Sequence, residues 1–140
     1  MLSSLAAAIT AFSLQFSDLN CLAINIYHEA RNQPVEGQFA IAEVVLNRTK
    51  DRRWPSSICG VVTQKYKSIC QFSWFCDNKT DRPKDKVAWK QAQDIAILAS
   101  LVKTNYTDGA LFYHSKSVSP SWARNMVNTI SIKDHVFYKG

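Results

Sequence analysis

The sequence predicts an α+β protein, in which a helical core is followed by a small antiparallel sheet. Three observations carry that prediction. Apolar residues recur at helical spacing over about residues 18–31, 34–50 and 85–104. After the Asp108-Gly109 turn the pattern changes to short strand-like stretches, Ala110–Ser115, Thr129–Ile132 and His135–Tyr138. No linker rich in Pro, Gly or Ser divides the chain, so residues 18–140 are expected to form one domain, and 46% hydrophobic content suffices for its core.

Residues 1–17 are apolar and uncharged, but too short and too polar for a stable membrane span. A secretory signal would carry a positive leader, yet no Lys or Arg precedes Arg31. An N-terminal helix is therefore expected ahead of a weak export signal. The next helix, Asp18 to Arg31, buries Leu19, Leu22, Ala23, Ile26 and Ala30 along one stripe. Ser17 or Asp18 can cap its start, Asn32 can end it in the left-handed conformation, and Pro34 prevents continuation.

Pro34 suits the first turn of a second helix, which reaches about Lys50. Its body, Phe39 to Leu46, is apolar around most of its circumference and should be central and buried. The basic run from Asn47 to Arg53 suits the negative end of the helix dipole. Ile58–Val62 and Gln71–Phe75 read as strands or short helices, and Asp77 to Lys86, with Pro83, as a loop. A third long helix over Asp85–Thr104 is expected to turn Val87, Ala88, Ala92, Ile95, Ala96, Ala99 and Val102 inward. Lys133-Asp134 joins the last two strands as a tight hairpin.

The net charge of +6 favours an anionic partner. The basic residues are dispersed and no recognition motif accompanies them, so nucleic acid is not the expected one. Cys21, Cys59, Cys70 and Cys76 permit two disulfides or free buried thiols, and their spacing is not that of a zinc site. If Cys70 to Cys76 is extended, its sulfurs lie roughly 20 Å apart and cannot pair directly.

Three glutamates are available for acid–base chemistry: Glu29, Glu36 and Glu43. Glu29 falls in the last turn of its helix, roughly 20° from Leu22 on a helical wheel, at the edge of the apolar stripe. Partial burial and the negative helix end both disfavour its carboxylate, so its proton affinity should rise, as a general acid requires. Glu36 complements the dipole of the second helix. Glu43 lies within an apolar run, where Arg48 or a backbone donor can hold it. His28 lies about 100° from Glu29 on the helix, and a His-Glu-x-x-His zinc motif is absent because Asn32 stands in place of the second histidine. His28, His114 and His135 could converge on a metal only through tertiary folding. Gln71-Phe72-Ser73-Trp74 and Phe112-Tyr113-His114 interleave ring faces with hydrogen-bonding groups, a pattern able to line a sugar groove as well as to fill a core.

Tyr27-His-Glu-Ala-Arg31, Pro34-x-x-Gly-Gln38 and Ala40-x-Ala42-x-Val-Val-Leu-Asn-Arg48 together resemble the SleB/CwlJ-type cell wall hydrolase family. Trp54-Pro55, Ile58-Cys-Gly-Val-Val62, Gln71-Phe-Ser-Trp74, Ala110-Leu-Phe-Tyr-His114 and His135-x-Phe-Tyr138 extend the resemblance, in order, over about residues 20–138. It implies a lysozyme-like fold and a peptidoglycan lytic transglycosylase acting on glycan strands at the bacterial cell wall. Such an enzyme would need no metal or cofactor and is expected to be a monomer, by an export route the sequence leaves open. Glu29 would protonate the oxygen between N-acetylmuramic acid and N-acetylglucosamine, then deprotonate the muramoyl 6-hydroxyl as a 1,6-anhydro ring closes. The resemblance also implies Gln71, Ser73, Trp74, Tyr113, His114, His135 and Tyr138 as groove residues. Where the family reads Glu-Ala-Arg-Gly-Glu-Pro, this chain has Asn32 and Gln33, which removes the nearest second carboxylate or marks a position without a chemical role. Two other readings remain: a metal-dependent N-acetylmuramoyl-L-alanine amidase using the histidines, and a non-catalytic wall-binding module.

Overall fold

The computed structural model describes residues 17–140, so the apolar segment before Ser17 lies outside the described residues. Helix α1 covers residues 17–30 and buries Leu22, Ala23, Ile26 and Ala30 as its stripe requires. Two expectations about its ends are corrected. Ser17 and Asp18 lie inside the helix, and the Asp18 carboxylate accepts the Cys59 backbone N–H at 3.1 Å instead of capping α1. Asn32 is not left-handed. The chain leaves α1 through a turn closed by Gln33 N–H on the Ala30 carbonyl at 2.9 Å, which needs no positive φ.

Helix α2, Val35–Thr49, follows Pro34, whose extended backbone starts it. It is the central element, with Ala40, Ile41, Ala42, Val44 and Val45 fully buried. One side, with Ala42 and Val45, joins a core shared with Leu22, Ile26, Val61, Ile95 and Ala96. The other, with Ile41 and Val44, packs on Ala110 and Phe137 of the sheet region.

Helix α3, Ile58–Val62, starts at Ser57, whose side chain accepts from Gly60 N–H. A side chain at Gly60 has no room, since a Cβ there would lie 2.7 Å from Ser57 Oγ and 2.8 Å from Pro55 Cβ. Strands β1, Lys65–Tyr66, and β2, Ile69–Cys70, form a short antiparallel pair, followed by a 3-10 turn at Ser73–Cys76. That turn overturns the expectation of an extended segment. A 3-10 helix rises only about 2 Å per residue, and it brings the Cα atoms of Cys70 and Cys76 to 6.0 Å, where they form a disulfide. Cys21 and Cys59 form the second, and no cysteine is free.

Helix α4, Lys86–Leu101, is capped by Asp85, whose carboxylate accepts from Val87 and Ala88 N–H. Ala92, Ile95, Ala96 and Ala99 face inward as expected, but Val87 is 82% and Val102 57% exposed. Val87 lies roughly 140° around the helix from Ala92, and Val102 lies beyond the last helical residue in extended backbone. Left-handed Asp108 and Gly109 then turn the chain into the sheet.

Strands β3, Phe112–Ser115, β4, Val127–Ile132, and β5, His135–Lys139, make an antiparallel sheet in the order β3-β5-β4. Lys133, at φ 45, forms the β4–β5 hairpin turn. A 3-10 helix, Ser121–Asn125, lies between β3 and β4 in the chain. The architecture is the α+β arrangement that the sequence predicts. Among the described residues no helix is long and apolar enough to cross a membrane.

Candidate active site

Glu29 sits part-buried in the last turn of α1, on the wall of a cleft of about 530 Å³. Its Oε1 accepts a hydrogen bond from the Tyr113 hydroxyl at 2.5 Å. The end of α2 sets that contact. Asn47 Nδ2 donates to the Ala110 carbonyl at 2.9 Å and Arg48 Nε to the Leu111 carbonyl at 2.8 Å, fixing the chain where it enters β3. Register then pairs Tyr113 with Phe137 and Ser115 with His135. Since side chains alternate along a strand, Tyr113, Phe137 and His135 share the face toward the helices.

Burial pushes the Glu29 carboxyl above its ordinary pKa, against opposing pulls from the Tyr113 hydrogen bond, His28 and Arg48. Burial, together with the adjacent carboxylate, also holds the Tyr113 hydroxyl well above the ordinary phenol range. Tyr113 is therefore a donor that keeps its proton. Burial lowers the Arg48 guanidinium from its usual value, while Tyr113 and Glu29 oppose that. His135 is lowered by burial, with Asp134 opposing and His114 adding to the effect.

Of the residues implied by resemblance, the cleft gathers Glu29, Gln71 and Tyr113. Trp74 is buried behind it, stacked on His28 at 4.7 Å with its Nε1 donating to Asn25 Oδ1. Ser73 opens the 3-10 turn and is exposed. His114 and Tyr138 lie on the opposite face of the sheet from Tyr113, joined at 2.8 Å and packed against Trp122. His135 touches the Tyr113 ring edge-on, at 5.3 Å between centroids. The cleft also takes Phe72 and Phe112 from the two aromatic stretches able to line a groove, Arg48, which the sequence offered only as a partner for Glu43, and Trp122 and Met126, which it did not single out. Strand alternation could have separated Tyr113 from His114. Trp122 stands in a stretch with no periodicity and gave no signal.

Two alternatives left open by the sequence are decided. Glu43 is held by backbone donors, with threonine hydroxyls, and not by Arg48: Tyr106 N–H, both donors of Thr107 and Thr104 Oγ1 saturate its carboxylate. Gln33 points away from the cleft to the β4–β5 turn, where it exchanges hydrogen bonds with Asp134. The histidines do not converge: His28 Nε2 bonds the Asp81 carbonyl, and among the described residues no three His, Cys, Asp or Glu side chains group as metal ligands. A larger cavity of about 830 Å³ beside Glu43 and Lys103 has its acids already engaged, Glu43 as above and Asp108 by Lys139 at 3.1 Å.

Fold and cleft together present one part-buried carboxyl, Glu29, held by a tyrosine donor on the wall of an open groove. The chain belongs to the cell wall hydrolase family: the description Cell Wall Hydrolase matches residues 32–138, beginning just beyond Glu29. It is 29% identical over 124 residues to the spore cortex-lytic enzyme of Bacillus subtilis (strain 168), covering 86% of this chain and 37% of that protein. The spore cortex-lytic enzyme of Oceanobacillus iheyensis is 30% identical over 129 residues, covering 88% and 42%. The chain thus spans less than half the length of these relatives. Among solved structures it is similar to the catalytic domain of Bacillus cereus SleB, with TM-score 0.68, 25% identity, and 87% and 89% of the two chains covered. It is likewise similar to the catalytic domain of the germination-specific lytic transglycosylase SleB from Bacillus anthracis, with TM-score 0.69, 27% identity and coverage of 87% and 93%. The fold is lysozyme-like, as the resemblance implied.

Proposed function

We propose that this chain cleaves the glycan strands of peptidoglycan as a lytic transglycosylase, with Glu29 acting first as acid and then as base. The observation that carries the proposal is that, among the described residues, Glu29 is the only carboxylic acid lining the cleft. Glycosidases that activate water or form a glycosyl-enzyme use two carboxyl groups, about 5–9.5 Å apart. One carboxyl suffices when the sugar supplies its own nucleophile.

Protonated Glu29 gives its proton to the glycosidic oxygen, and the bond from muramoyl C1 to that oxygen breaks. The carboxylate left behind takes the proton of the muramoyl 6-hydroxyl as its oxygen closes on C1. No water is consumed, and Glu29 ends protonated. The rings of Phe112 and Trp122 offer faces for the apolar sides of the sugars, and Gln71 a hydrogen-bonding edge. Tyr113 orients Glu29, with His135 at its ring edge. His114 and Tyr138 brace Trp122, while Ser73 and Trp74 hold the turn behind Gln71. Two disulfides fit action outside a reducing cytosol, at the wall.

Digestion of purified sacculi, followed by mass spectrometry, tests the proposal. Anhydromuramic ends at each cut, without oxygen from labelled water, are expected. Labelled reducing ends would make the enzyme a hydrolase, and released stem peptides an amidase. Binding without any cleavage would leave only a wall-binding module.

A further inference from the structure

We propose that Arg48 is a positioning residue whose fixed charge stabilises the carboxylate that Glu29 becomes between its two proton transfers, an inference that rests on the acid-then-base role above. Arg48 is only 6% exposed. Its Nε is held by the Leu111 carbonyl, and its cation lies over the rings of Trp54, Phe72 and Phe112 at 5.1, 5.7 and 5.9 Å. These contacts fix the plane of the guanidinium. They leave its terminal nitrogens without a hydrogen-bond partner, and no carboxylate within 4.0 Å, among the described residues. A buried cation without a counter-ion destabilises a fold. Here it lines the same cleft as Glu29, the group that becomes a carboxylate between the two proton transfers proposed above.

The groups facing Glu29 are few. His28 neighbours it on α1, Tyr113 bonds it from β3 and Arg48 lines the same cleft from α2, while His135 of β5 packs on the rings of Tyr113 and Phe137. Tyr113 contributes a neutral donor, so Arg48 is the permanent cation of the set. Burial raises the proton affinity of Glu29, and the Tyr113 hydrogen bond, His28 and Arg48, in that order, limit the rise, which lets one carboxyl both release and recover a proton.

Arg48→Gln, which can still donate to the Leu111 carbonyl, and Arg48→Lys, which keeps the charge, test this. Carbon-13 titration of Glu29 and the pH dependence of kcat/KM are measured on both. In Arg48→Gln the Glu29 midpoint and the alkaline limb are expected to move up by about one pH unit, with kcat down about tenfold and KM nearly unchanged. Arg48→Lys is expected to restore most of the midpoint. Lower stability in both variants with an unmoved midpoint would reduce Arg48 to a structural role and overturn the proposal. A second measurement needs no Arg48 variant: the Arg48 nitrogen-15 Nε resonance should titrate with Glu29 in the unaltered protein and stay flat in Glu29→Gln. A flat response in both overturns the proposal. Cleavage of sacculi by Glu29→Gln would instead remove the acid–base role itself, whereas an inactive Glu29→Gln beside flat Arg48 results refutes only the part given to Arg48.

Discussion

Replacing Glu29 by Gln separates chemistry from folding, because the two are expected to move in opposite directions. Gln keeps an Oε1 to accept the Tyr113 hydroxyl and removes only the proton that titrates. Loss of a general acid or base costs about 10²–10⁴-fold in rate. In the proposed reaction Glu29 serves in both proton transfers, so the upper figure is expected, about 5.4 kcal/mol of barrier. Stability follows the sign of linkage. Burial raises the folded pKa of Glu29 above the unfolded value, which is about 4.3, so the folded state binds the proton more tightly. The corresponding stability is present below about pH 4.3 and is lost as pH rises through the folded pKa. Each tenfold gain in proton affinity is worth about 1.4 kcal/mol, or about 3–5 °C in melting temperature for a domain of this size. Glu29→Gln should therefore melt higher than the parent at pH 8, with the gap closing toward about pH 3.5, where both forms of the parent are protonated. Calorimetry at the two pH values, beside activity on sacculi, measures both effects. A variant that melts below the parent at pH 8 while matching it at low pH would mean that the carboxylate is favoured by its surroundings, and would refute the burial argument.

The remaining expectations concern the scaffold and the cleft. Glu43→Ala strands two backbone N–H groups and two hydroxyls, and urea unfolding should show a loss of about 3–5 kcal/mol. Cys21→Ser opens a crosslink with a sequence separation of 38, against 6 for Cys70→Ser; chain entropy puts the losses at about 3.9 and about 2.2 kcal/mol. Cys70→Ser should nevertheless raise KM more, since that crosslink encloses Gln71 and Phe72 of the cleft wall. Trp122→Ala should raise KM about tenfold and leave kcat nearly intact, in line with the loss of one aromatic face; initial rates on soluble glycan fragments check it.

What the sequence disclosed about the site followed how local each signal was. The part-buried position of Glu29 in the last turn was legible because its helix and the apolar stripe beside it both lie within a few residues. The burial of α2 was legible for the same reason, as was the Lys133-Asp134 hairpin. Arg48 was not, because its partners, the Leu111 carbonyl and the rings of Phe72 and Phe112, come from distant parts of the chain. Within its own helix it reads as a cation at the negative end or as a partner for Glu43, neither of which points to the cleft. Cys70 and Cys76 misled for a different reason: seven residues with mixed polarity carry no period, so an extended geometry was as natural as the 3-10 turn that brings the sulfurs together. Gln33 showed the limit of motif comparison. The motif alone left its substitution either chemical or without a chemical role, and only the fold shows its side chain tying the α1–α2 turn to Asp134, outside the cleft.

The end of α2 explains why stability and chemistry are hard to separate in this fold. Asn47 and Arg48 occupy adjacent positions, and each holds a carbonyl of the segment entering β3. Without those two bonds the strand could slide, and a one-residue slip would turn Tyr113 to the far side of the sheet and His114 toward Glu29. Asparagine alone could anchor one carbonyl at no electrostatic cost. Arginine at the second position anchors the other and also places a cation over the Phe112 ring of β3 and in the cleft. A neutral donor such as glutamine would keep the carbonyl bond and lose the cation–ring contact. On the role proposed above for Arg48, the same charge that steadies the strand meets the carboxylate that Glu29 leaves when it gives up its proton.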